Sequence, residues 1–242
     1  MTSNIALVTG AGRGLGRVLT IFLAGQGYDL VITSRTRSEL DEVAASAEQA
    51  NVKVVAIAGD VNDPTHRTRL LEETLNIGGV SLLVNNASDL GETPRPELVN
   101  ASLELFRQTL ETNLVSPLAL IQQALPQLRQ THGLVVNVTS DASQVGYPRW
   151  GVYGSSKAAL DLLSKTLAAE LKPLGVFVVS VDPGDMRTQL HQDAFPGEDI
   201  SDRPLPEVSL PFWAWLINQD PRSVTGVRYR AQGTLWEVPV TA

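Results

Sequence analysis

Short apolar runs alternate along this chain with longer segments in which apolar residues recur at helical spacing. The apolar runs are rich in β-branched residues and begin near residues 5, 29, 53, 81, 134 and 176, and each borders a helix-period segment. Strands that are apolar along their length and separated by helices are typical of a parallel sheet covered on both faces. The pattern therefore predicts an α/β fold with helices on both sides of a central sheet.

The size and composition of the chain favour one domain. The 242 residues are 43% hydrophobic and 19% charged, which suits a single globular unit over residues 1–242 with a well-buried core. No repeat or linker interrupts the alternation before about residue 185. The stretch 185–206 is rich in Gly, Asp and Pro and predicts a loop that can include a short helix. A loop this long is often functional, and we expect it to border a substrate site.

Charge and cysteine content exclude several classes of partner. The net charge of −7 and the absence of cysteine argue against nucleic acid, anionic membranes, disulfides and thiolate metal sites, and favour a reducing compartment. His66, His132 and His191 are scattered without ligand spacing, so no metal is expected. No apolar run reaches the roughly 18 residues of a membrane span, and a strand beginning at Ile5 leaves no room for a signal peptide. We expect a cytoplasmic protein.

A glycine-rich loop joins the first predicted strand to the first predicted helix. The segment TGAGRGLG, residues 9–16, would let backbone amides approach a pyrophosphate at the helix N-terminus. Its spacing is not the usual GxGxxG, because Leu15 and Arg17 stand where glycine would be required, and it has no P-loop lysine. A tight turn without a ligand is the alternative. The position of the loop in the first βα unit favours dinucleotide binding.

Charges near the second strand bear on which dinucleotide binds. An NAD site has an acid at the end of that strand for the ribose 2′-hydroxyl, whereas an NADP site has a cation for the 2′-phosphate. Here Ser34 and Arg35 occupy that place, and Arg13 in the glycine loop could reach the same phosphate. Two solvated surface arginines are the alternative interpretation. We expect NADP(H) to be preferred over NAD(H).

The motifs of the whole chain, taken in order, resemble a known family. They are TGAGRGLG, GDVND at 59–63, NNA at 85–87, an asparagine in ETNLVSPL, a serine in VVNVTS, YGSSK at 153–157 and PGDMRT at 183–188. From about residue 4 to Thr188 this order resembles the short, single-domain branch of the short-chain dehydrogenase/reductases and is similar to its 3-oxoacyl-carrier-protein reductases. The resemblance implies a Rossmann-type, doubly wound three-layer sandwich with a mostly parallel sheet of about seven strands.

The resemblance also implies roles for individual residues. Tyr153 would be the general acid/base, Ser140 would polarise the substrate carbonyl, Lys157 would activate the tyrosine, and Asn113 would hold a proton-relay water. The 13-residue separation of Ser140 from Tyr153 is the family's usual one and selects Ser140 over Ser143. The expected cofactor-binding residues are Gly10, Arg13, Gly14, Leu15, Gly16, Ser34, Arg35, Asp60, Val61, Asn86, Ala87, Tyr153, Lys157, Pro183, Gly184, Met186 and Thr188.

Elementary chemistry supports the tyrosine and lysine pair. A phenol has a pKa near ~10, so it is a poor base at neutral pH unless its anion is stabilised. Lys157 stands at i+4 from Tyr153, on the same helical face, where an ammonium favours the phenolate. A tyrosine and a lysine at this spacing usually form a surface pair without function. The other motifs in the chain favour the catalytic interpretation.

Two departures from the family pattern affect what can be inferred. The family's NNAG is NNAS here, so Ser88 brings a side chain close to the cofactor. The tail keeps Thr225 and Gly226 but lacks the family's Asp-Gly-Gly signature. Because that tail often packs between subunits in the family, the geometry of an oligomer is left open. A homodimer or homotetramer through helices around 101–130 and 154–171 is expected.

The sequence points less clearly to a substrate. A small-molecule carbonyl compound or alcohol is expected, and five candidates could line its pocket or could equally pack in the core: Asp89, Gln144, Tyr147, Trp150 and Asp185. The main function hypothesis is an NADP(H)-dependent oxidoreductase that interconverts a carbonyl and its alcohol.

Two other functions are weighed against it. A catalytically inactive sensor or scaffold that binds the dinucleotide would not need all four catalytic-type residues. A sugar-nucleotide epimerase or dehydratase shares the tyrosine and lysine, but roughly 55 residues after Gly184 are too few for a separate substrate domain.

Overall fold

The computed structural model describes residues 4–233 and 236–238. Seven strands are found among them: β1 (Ile5–Thr9), β2 (Asp29–Ser34), β3 (Val54–Ala58), β4 (Leu82–Asn85), β5 (Leu134–Val138), β6 (Phe177–Asp182) and β7 (Arg228–Arg230). They form one sheet in the order β3-β2-β1-β4-β5-β6-β7, and every neighbouring pair is parallel. This confirms the predicted α/β class and the number of strands. The tail's residues 234–235 and 239–242 lie outside the described part.

Helices connect the strands. The α-helices are α1 (Gly14–Gly25), α2 (Arg37–Glu48), α3 (Pro64–Asn76), α4 (Leu103–Leu110), α5 (Ser116–Thr131), α6 (Gly151–Leu171), α7 (Gln189–Ala194), α8 (Leu210–Ile217) and α9 (Pro221–Val224). Asp63 caps α3 by accepting a hydrogen bond from the Thr65 amide at 2.8 Å, and Pro64 follows in the first turn. The short α7 lies inside the stretch 185–206 that the sequence predicted to be a loop.

The apolar side chains of the strands divide between two cores, one on each face of the sheet. Ala6 and Val8 of β1 belong to one cluster, and Leu7 between them belongs to the other. This alternation follows from the two-residue period of a strand, and helices cover both clusters because both faces are apolar. The layers therefore exclude water from the sheet and leave the strand ends as the place for polar chemistry.

The strand order reverses at the middle of the sheet. β1 pairs with β2 on one side and with β4 on the other, so the connections after these strands diverge and leave a crevice at their carboxyl ends. In open parallel sheets of this kind, ligands bind at such a switch point. No helix in the described ranges is long and apolar enough to cross a membrane.

Candidate active site

A cavity of about 220 Å³ opens at the carboxyl ends of the central strands. Most of the sequence-predicted cofactor residues line it: Gly10, Arg13, Gly14, Leu15, Ser34, Arg35, Asp60, Val61, Asn86, Ala87, Tyr153, Lys157, Pro183, Met186 and Thr188. The cavity therefore connects the glycine loop and the end of β2 with the tyrosine and lysine of α6. We call it the cofactor cavity.

The glycine loop has no space for side chains at two positions. A Cβ on Gly16 would lie 2.1 Å from the carbonyl oxygen of Gly10 and 2.6 Å from the side-chain nitrogen of Asn86. Gly10 has a φ of +66°, and a Cβ there would lie 2.9 Å from the Cα of Ala87. Asn86 also donates hydrogen bonds to the carbonyls of Thr9 and Gly10, at 3.0 and 3.1 Å. The loop is thus held tightly against the segment after β4 with its backbone open to the cavity.

Sequence reasoning missed one charged residue of the cofactor cavity. Glu39, in the first turn of α2, lines the cavity beside Ser34 and Arg35. The residues that end β2 include no acid, and the sequence prediction was based on these residues alone. An acid in the first turn of the helix that follows β2 was the sequence feature that could have revealed Glu39. The end of the cavity near β2 therefore combines the cations Arg13 and Arg35 with the carboxylates of Glu39 and of Asp60, which follows β3 beside Ser34.

The tyrosine and lysine of α6 are buried side by side. Tyr153 is 6% exposed and Lys157 is 2% exposed. The Lys157 ammonium donates a hydrogen bond to the carbonyl of Val138 at 2.8 Å and lies 5.5 Å from the centroid of the Tyr153 ring. A buried lysine is rare unless its charge is used, since its desolvation is costly. Both side chains border the cofactor cavity.

Burial sets the acidities of this pair. Burial raises the pKa of Tyr153 to about 12, and hydrogen bonding by Ser88 and Ser140 acts in the opposite direction. Burial lowers the pKa of Lys157 to about 8, whereas the charge of Asp161 raises it. At neutral pH the phenol is therefore protonated. That state suits a proton donor for carbonyl reduction, because the donor must carry its proton when the carbonyl oxygen becomes negative.

Asn113 lies behind the cavities and does not line them. It occupies a π-helical turn, Glu111–Val115, between α4 and α5, and is fully buried. Its Oδ1 accepts hydrogen bonds from the Asp89 amide at 2.8 Å and the Ser88 hydroxyl at 3.2 Å. Its Nδ2 donates to the Asp89 carbonyl at 2.8 Å and to the Ser156 hydroxyl at 2.9 Å. These bonds use the whole hydrogen-bonding capacity of the amide and fix the 88–89 segment against α6.

A second cavity, of about 310 Å³, adjoins the first. The two share Thr139, Tyr153, Pro183, Met186, Thr188 and Leu190. The second cavity also contains Ser140 and is walled by Tyr147, Trp150 and Phe195. Because Ser140 and Tyr153 face the same space, a carbonyl oxygen there could meet both hydroxyls. We call this space the substrate cavity.

Of the remaining predicted residues, some line one of the two cavities and one lines neither. Gly184, Asp185, Tyr147 and Trp150 line the substrate cavity, and Asp89 lines the cofactor cavity. Gln144 is not among the lining residues of either, and its amide donates instead to the Asp161 carboxylate at 3.3 Å. Gln144 is thus the predicted substrate residue that the structure brings to neither cavity. It lies one residue past the Asp141–Ser143 helical turn, which directs its side chain towards α6.

The hydroxyl of Ser88, which stands where the family motif has glycine, lies in the same cavity as the reacting tyrosine. Ser88 lines the cofactor cavity with Tyr153 and donates a hydrogen bond to Asn113 at 3.2 Å. Burial raises the pKa of Tyr153, and hydrogen bonding by Ser88 and Ser140 acts against that larger effect. The sequence predicted the stabilisation of the phenolate to come from Lys157. The geometry adds a hydroxyl that glycine, the family's usual residue, could not supply.

Replacing Ser88 with Gly is expected to raise the pKa of Tyr153. Alcohol oxidation needs the phenolate, so the rising limb of its pH–rate profile should move upward by about one pH unit, the scale of one hydrogen bond to a charged group. Ser156→Ala is the matched control, because it removes another hydroxyl that contacts Asn113. A limb that moves equally in both variants would assign the effect to Asn113 and not to the contact between Ser88 and Tyr153.

Comparison with known proteins agrees with this geometry. The sequence model of the short chain dehydrogenase family matches residues 4–199. The chain is 32% identical over 212 residues to a 3-oxoacyl-[acyl-carrier-protein] reductase of Staphylococcus epidermidis, covering 85% of this chain and 83% of the reductase. The chain belongs to the short-chain dehydrogenase family and is an oxidoreductase that uses a nicotinamide dinucleotide.

Solved structures are similar over nearly the whole chain. A short chain dehydrogenase from Pseudomonas syringae superposes with a TM-score of 0.88 at 29% identity, covering 95% of this chain and 94% of that one. Another, from Shigella flexneri and complexed with NADP, gives a TM-score of 0.88 at 26% identity, covering 96% of this chain and 98% of that one. The predicted family and fold are confirmed.

Proposed function

We propose that this protein is an NADP(H)-dependent carbonyl reductase in which Tyr153 is the general acid/base. The observation that carries the proposal is the pair of adjoining cavities. Tyr153 lines both of them, Ser140 lines the substrate cavity, and Lys157 lines the cofactor cavity. A substrate carbonyl in the substrate cavity would meet the cofactor where the two cavities join. The chain would then act on a C=O group or, in the reverse direction, on a CH–OH group.

The residues of the cofactor cavity fit a dinucleotide. The glycine loop lines the cavity with Gly10, Gly12 and Gly14, whose backbone could approach a pyrophosphate at the N-terminus of α1, whereas Gly16 packs against Gly10 and Asn86. Asp60 and Val61 would hold the adenine end, and Pro183, Gly184, Met186 and Thr188 the nicotinamide end. When bound, the nicotinamide supplies or accepts the hydride.

The protein's own residues would handle the proton and the developing negative charge. Tyr153 would donate its proton to the carbonyl oxygen, and Ser140 would donate a hydrogen bond to the same oxygen as it becomes an alkoxide. The Ser140 hydroxyl now lies 3.1 Å from the Asp141 carboxylate, so it would rotate away when substrate binds. Lys157 would stabilise the phenolate that remains, and Asn113 would keep the 88–89 segment in place.

The preference for NADP(H) is supported by charge. Arg13 and Arg35 line the cavity near the end of β2, where a 2′-phosphate would lie. The Shigella flexneri structure is complexed with NADP and a similar Escherichia coli structure with NADPH. The carboxylates of Glu39 and Asp60 line the same end of the cavity and oppose this preference. The proposal gives more weight to the two guanidinium groups, because guanidinium pairs with phosphate in bidentate geometry.

The substrate is expected to be a carbonyl compound with an apolar or ring-bearing body. Trp150 contacts Tyr153 edge-on at a centroid distance of 5.7 Å, and Phe195 lies 6.0 Å from Trp150, so an aromatic wall runs beside the proton donor. We also propose that residues 1–242 form one domain in which the 185–206 segment borders the substrate. The cytoplasmic location stays a prediction.

The test of this function is oxidation of NADPH and NADH by the purified protein. A panel of aromatic ketones, quinones and 3-oxoacyl thioesters covers the substrate classes that the cavity and the relatives suggest. Turnover of at least one carbonyl, with NADPH preferred, supports the proposal. Tight dinucleotide binding without turnover of any panel member would favour the sensor or scaffold alternative.

A homodimer or homotetramer is proposed through the helices around 101–130 and 154–171. Apolar side chains stand exposed there: Leu162 of α6 is 68% exposed and Leu103 of α4 is 65% exposed. We expect Leu162→Glu to shift the particle mass towards the monomer in light scattering, because a charge would be buried at the interface. Leu75→Glu is the control, since Leu75 is similarly exposed, at 59%, but belongs to α3. An unchanged mass for Leu162→Glu would exclude this interface.

A further inference from the structure

A partly buried arginine from the last strand reaches the back of the active site. Arg228 opens β7, beyond residues 4–199 that the family model matches, and its side chain is 16% exposed. Its guanidinium donates to the backbone carbonyl of Ser140 at 2.8 Å. It also donates to the carboxylates of Asp161 at 3.1 Å and Asp182 at 3.1 Å. One side chain thus joins three segments that border the substrate cavity.

Each of the two carboxylates lies next to a member of the tyrosine and lysine pair. Asp161 follows Lys157 by one turn of α6, and its charge raises the pKa of that lysine. Asp182 ends β6, and its charge raises the pKa of Tyr153. The Asp182 carboxylate also accepts the Gly184 amide at 3.0 Å. Both acids therefore act electrostatically on the reacting groups, and Asp182 also holds the 183–184 turn through a hydrogen bond.

These carboxylates depend on Arg228. The Asp161 and Asp182 side chains are 5% and 4% exposed, and a buried carboxylate without a cationic partner is strongly unfavourable. One Asp161 oxygen has no hydrogen-bond partner among the described residues, and the other accepts from Arg228 at 3.1 Å, from the Ser143 hydroxyl at 2.5 Å and from the Gln144 amide at 3.3 Å. Of these three donors, Arg228 is the one that carries a positive charge. The Ser143 hydroxyl adds a neutral contact to the Ser140 carbonyl at 2.6 Å.

We propose that Arg228 is a positioning residue for hydride transfer: it fixes the backbone of Ser140 and balances the charges of Asp161 and Asp182 behind Tyr153 and Lys157. The inference rests on the proposed carbonyl reduction. Arg228 touches neither cavity, so it acts through Ser140 and the two acids. The C-terminal tail, where the family's usual signature is missing, thereby contributes to the active site.

A purely structural role for Arg228 makes different predictions. If Arg228 only attached β7 to the sheet, its loss would lower stability but leave the folded enzyme with the parent's kcat. Positioning predicts a lower kcat with a much smaller change in KM for NADPH, because the glycine loop and the residues at the end of β2, which would hold most of the cofactor, do not contact Arg228. It also predicts rescue when the charge balance is restored, since Arg228→Gln leaves the two acids without their guanidinium partner and Arg228→Gln/Asp161→Asn removes one of the two acids.

The experiment compares Arg228→Lys, Arg228→Gln and Arg228→Gln/Asp161→Asn with the full-length parent. Arg230→Gln is the matched control, an exposed arginine on the same strand. For the panel carbonyl that the parent reduces best, we expect Arg228→Gln to lower kcat by about tenfold to a hundredfold, as a small misplacement of a reacting group does. The double variant should recover at least about threefold over Arg228→Gln, and Arg228→Lys should lie between Arg228→Gln and the parent.

Amide exchange separates this inference from the proposed function. Hydrogen–deuterium exchange of the 139–144 segment, followed by mass spectrometry, should be about tenfold faster in Arg228→Gln and Arg228→Lys than in the parent and Arg230→Gln. If the parent reduced no carbonyl, the proposed function would fail, yet faster exchange would still show that Arg228 holds Ser140. If Arg228→Gln did not fold, the kcat and the amide exchange of Arg228→Lys would test the positioning role instead. Parent-like kcat and exchange in Arg228→Lys, or equal losses in Arg230→Gln, would overturn the positioning role.

Discussion

Replacing Tyr153 with Phe is expected to lower kcat for carbonyl reduction by about 10²- to 10⁴-fold, the usual contribution of a positioned general acid. Among the residues that the structure describes, Tyr153 is the only ionisable side chain that borders both cavities, and it holds its proton at neutral pH because burial raises the pKa of Tyr153 to about 12. A phenyl ring keeps the edge-on contact with Trp150 at 5.7 Å. The variant should therefore fold normally and lose only the proton transfer.

The measurement is steady-state NADPH oxidation with the best carbonyl of the panel, together with NADPH affinity by fluorescence titration. Tyr28→Phe is the matched control, because it removes a phenol hydroxyl from a residue that lines neither cavity. We expect the control to keep the parent's kcat. If Tyr153→Phe were as fast as the parent, the assignment of Tyr153 would be wrong, and another acid would have to be sought in the substrate cavity.

Replacing Arg35 with Asp is expected to reverse the cofactor preference. The change removes one charge-assisted phosphate contact and introduces repulsion, and each such contact corresponds to about a tenfold to a hundredfold change in affinity. The ratio of kcat/KM for NADPH to that for NADH should therefore fall by about 10²-fold or more. NADH should bind as well as before or better, since an aspartate at the end of β2 can accept the ribose 2′-hydroxyl.

A control must separate the loss of the contact between Arg35 and the 2′-phosphate from a general change of charge near the cavity. Arg37→Asp provides this control, because Arg37 lies two residues further on, pairs with Asp41 at 2.8 Å and does not line the cofactor cavity. It should change the NADPH to NADH ratio much less than Arg35→Asp. An unchanged ratio in Arg35→Asp would remove Arg35 from the cofactor site, and Arg13 would then be the cation to test.

Local sequence signals accounted for most of the site. The glycine loop, the segment after β4 and the tyrosine and lysine of α6 were recognised because each is a short motif whose residues meet through neighbouring backbone. Parallel strands then bring all these motifs to one edge of the sheet. The substrate candidates were less certain, since loop side chains can turn either way. Tyr147 and Trp150 line the substrate cavity, whereas Gln144 turns towards Asp161.

The sequence by itself determined the α/β fold, the family and the residues expected to react, because alternating apolar patterns and short motifs carry that information locally. Only the tertiary structure decided which distant groups surround them: Glu39 beside Arg35, Ser88 between Asn113 and Tyr153, and Arg228 behind Ser140. Ser140 and Arg228 are 88 residues apart in the chain. Contacts at such separation depend on how strands and helices pack, which no single-sequence pattern records.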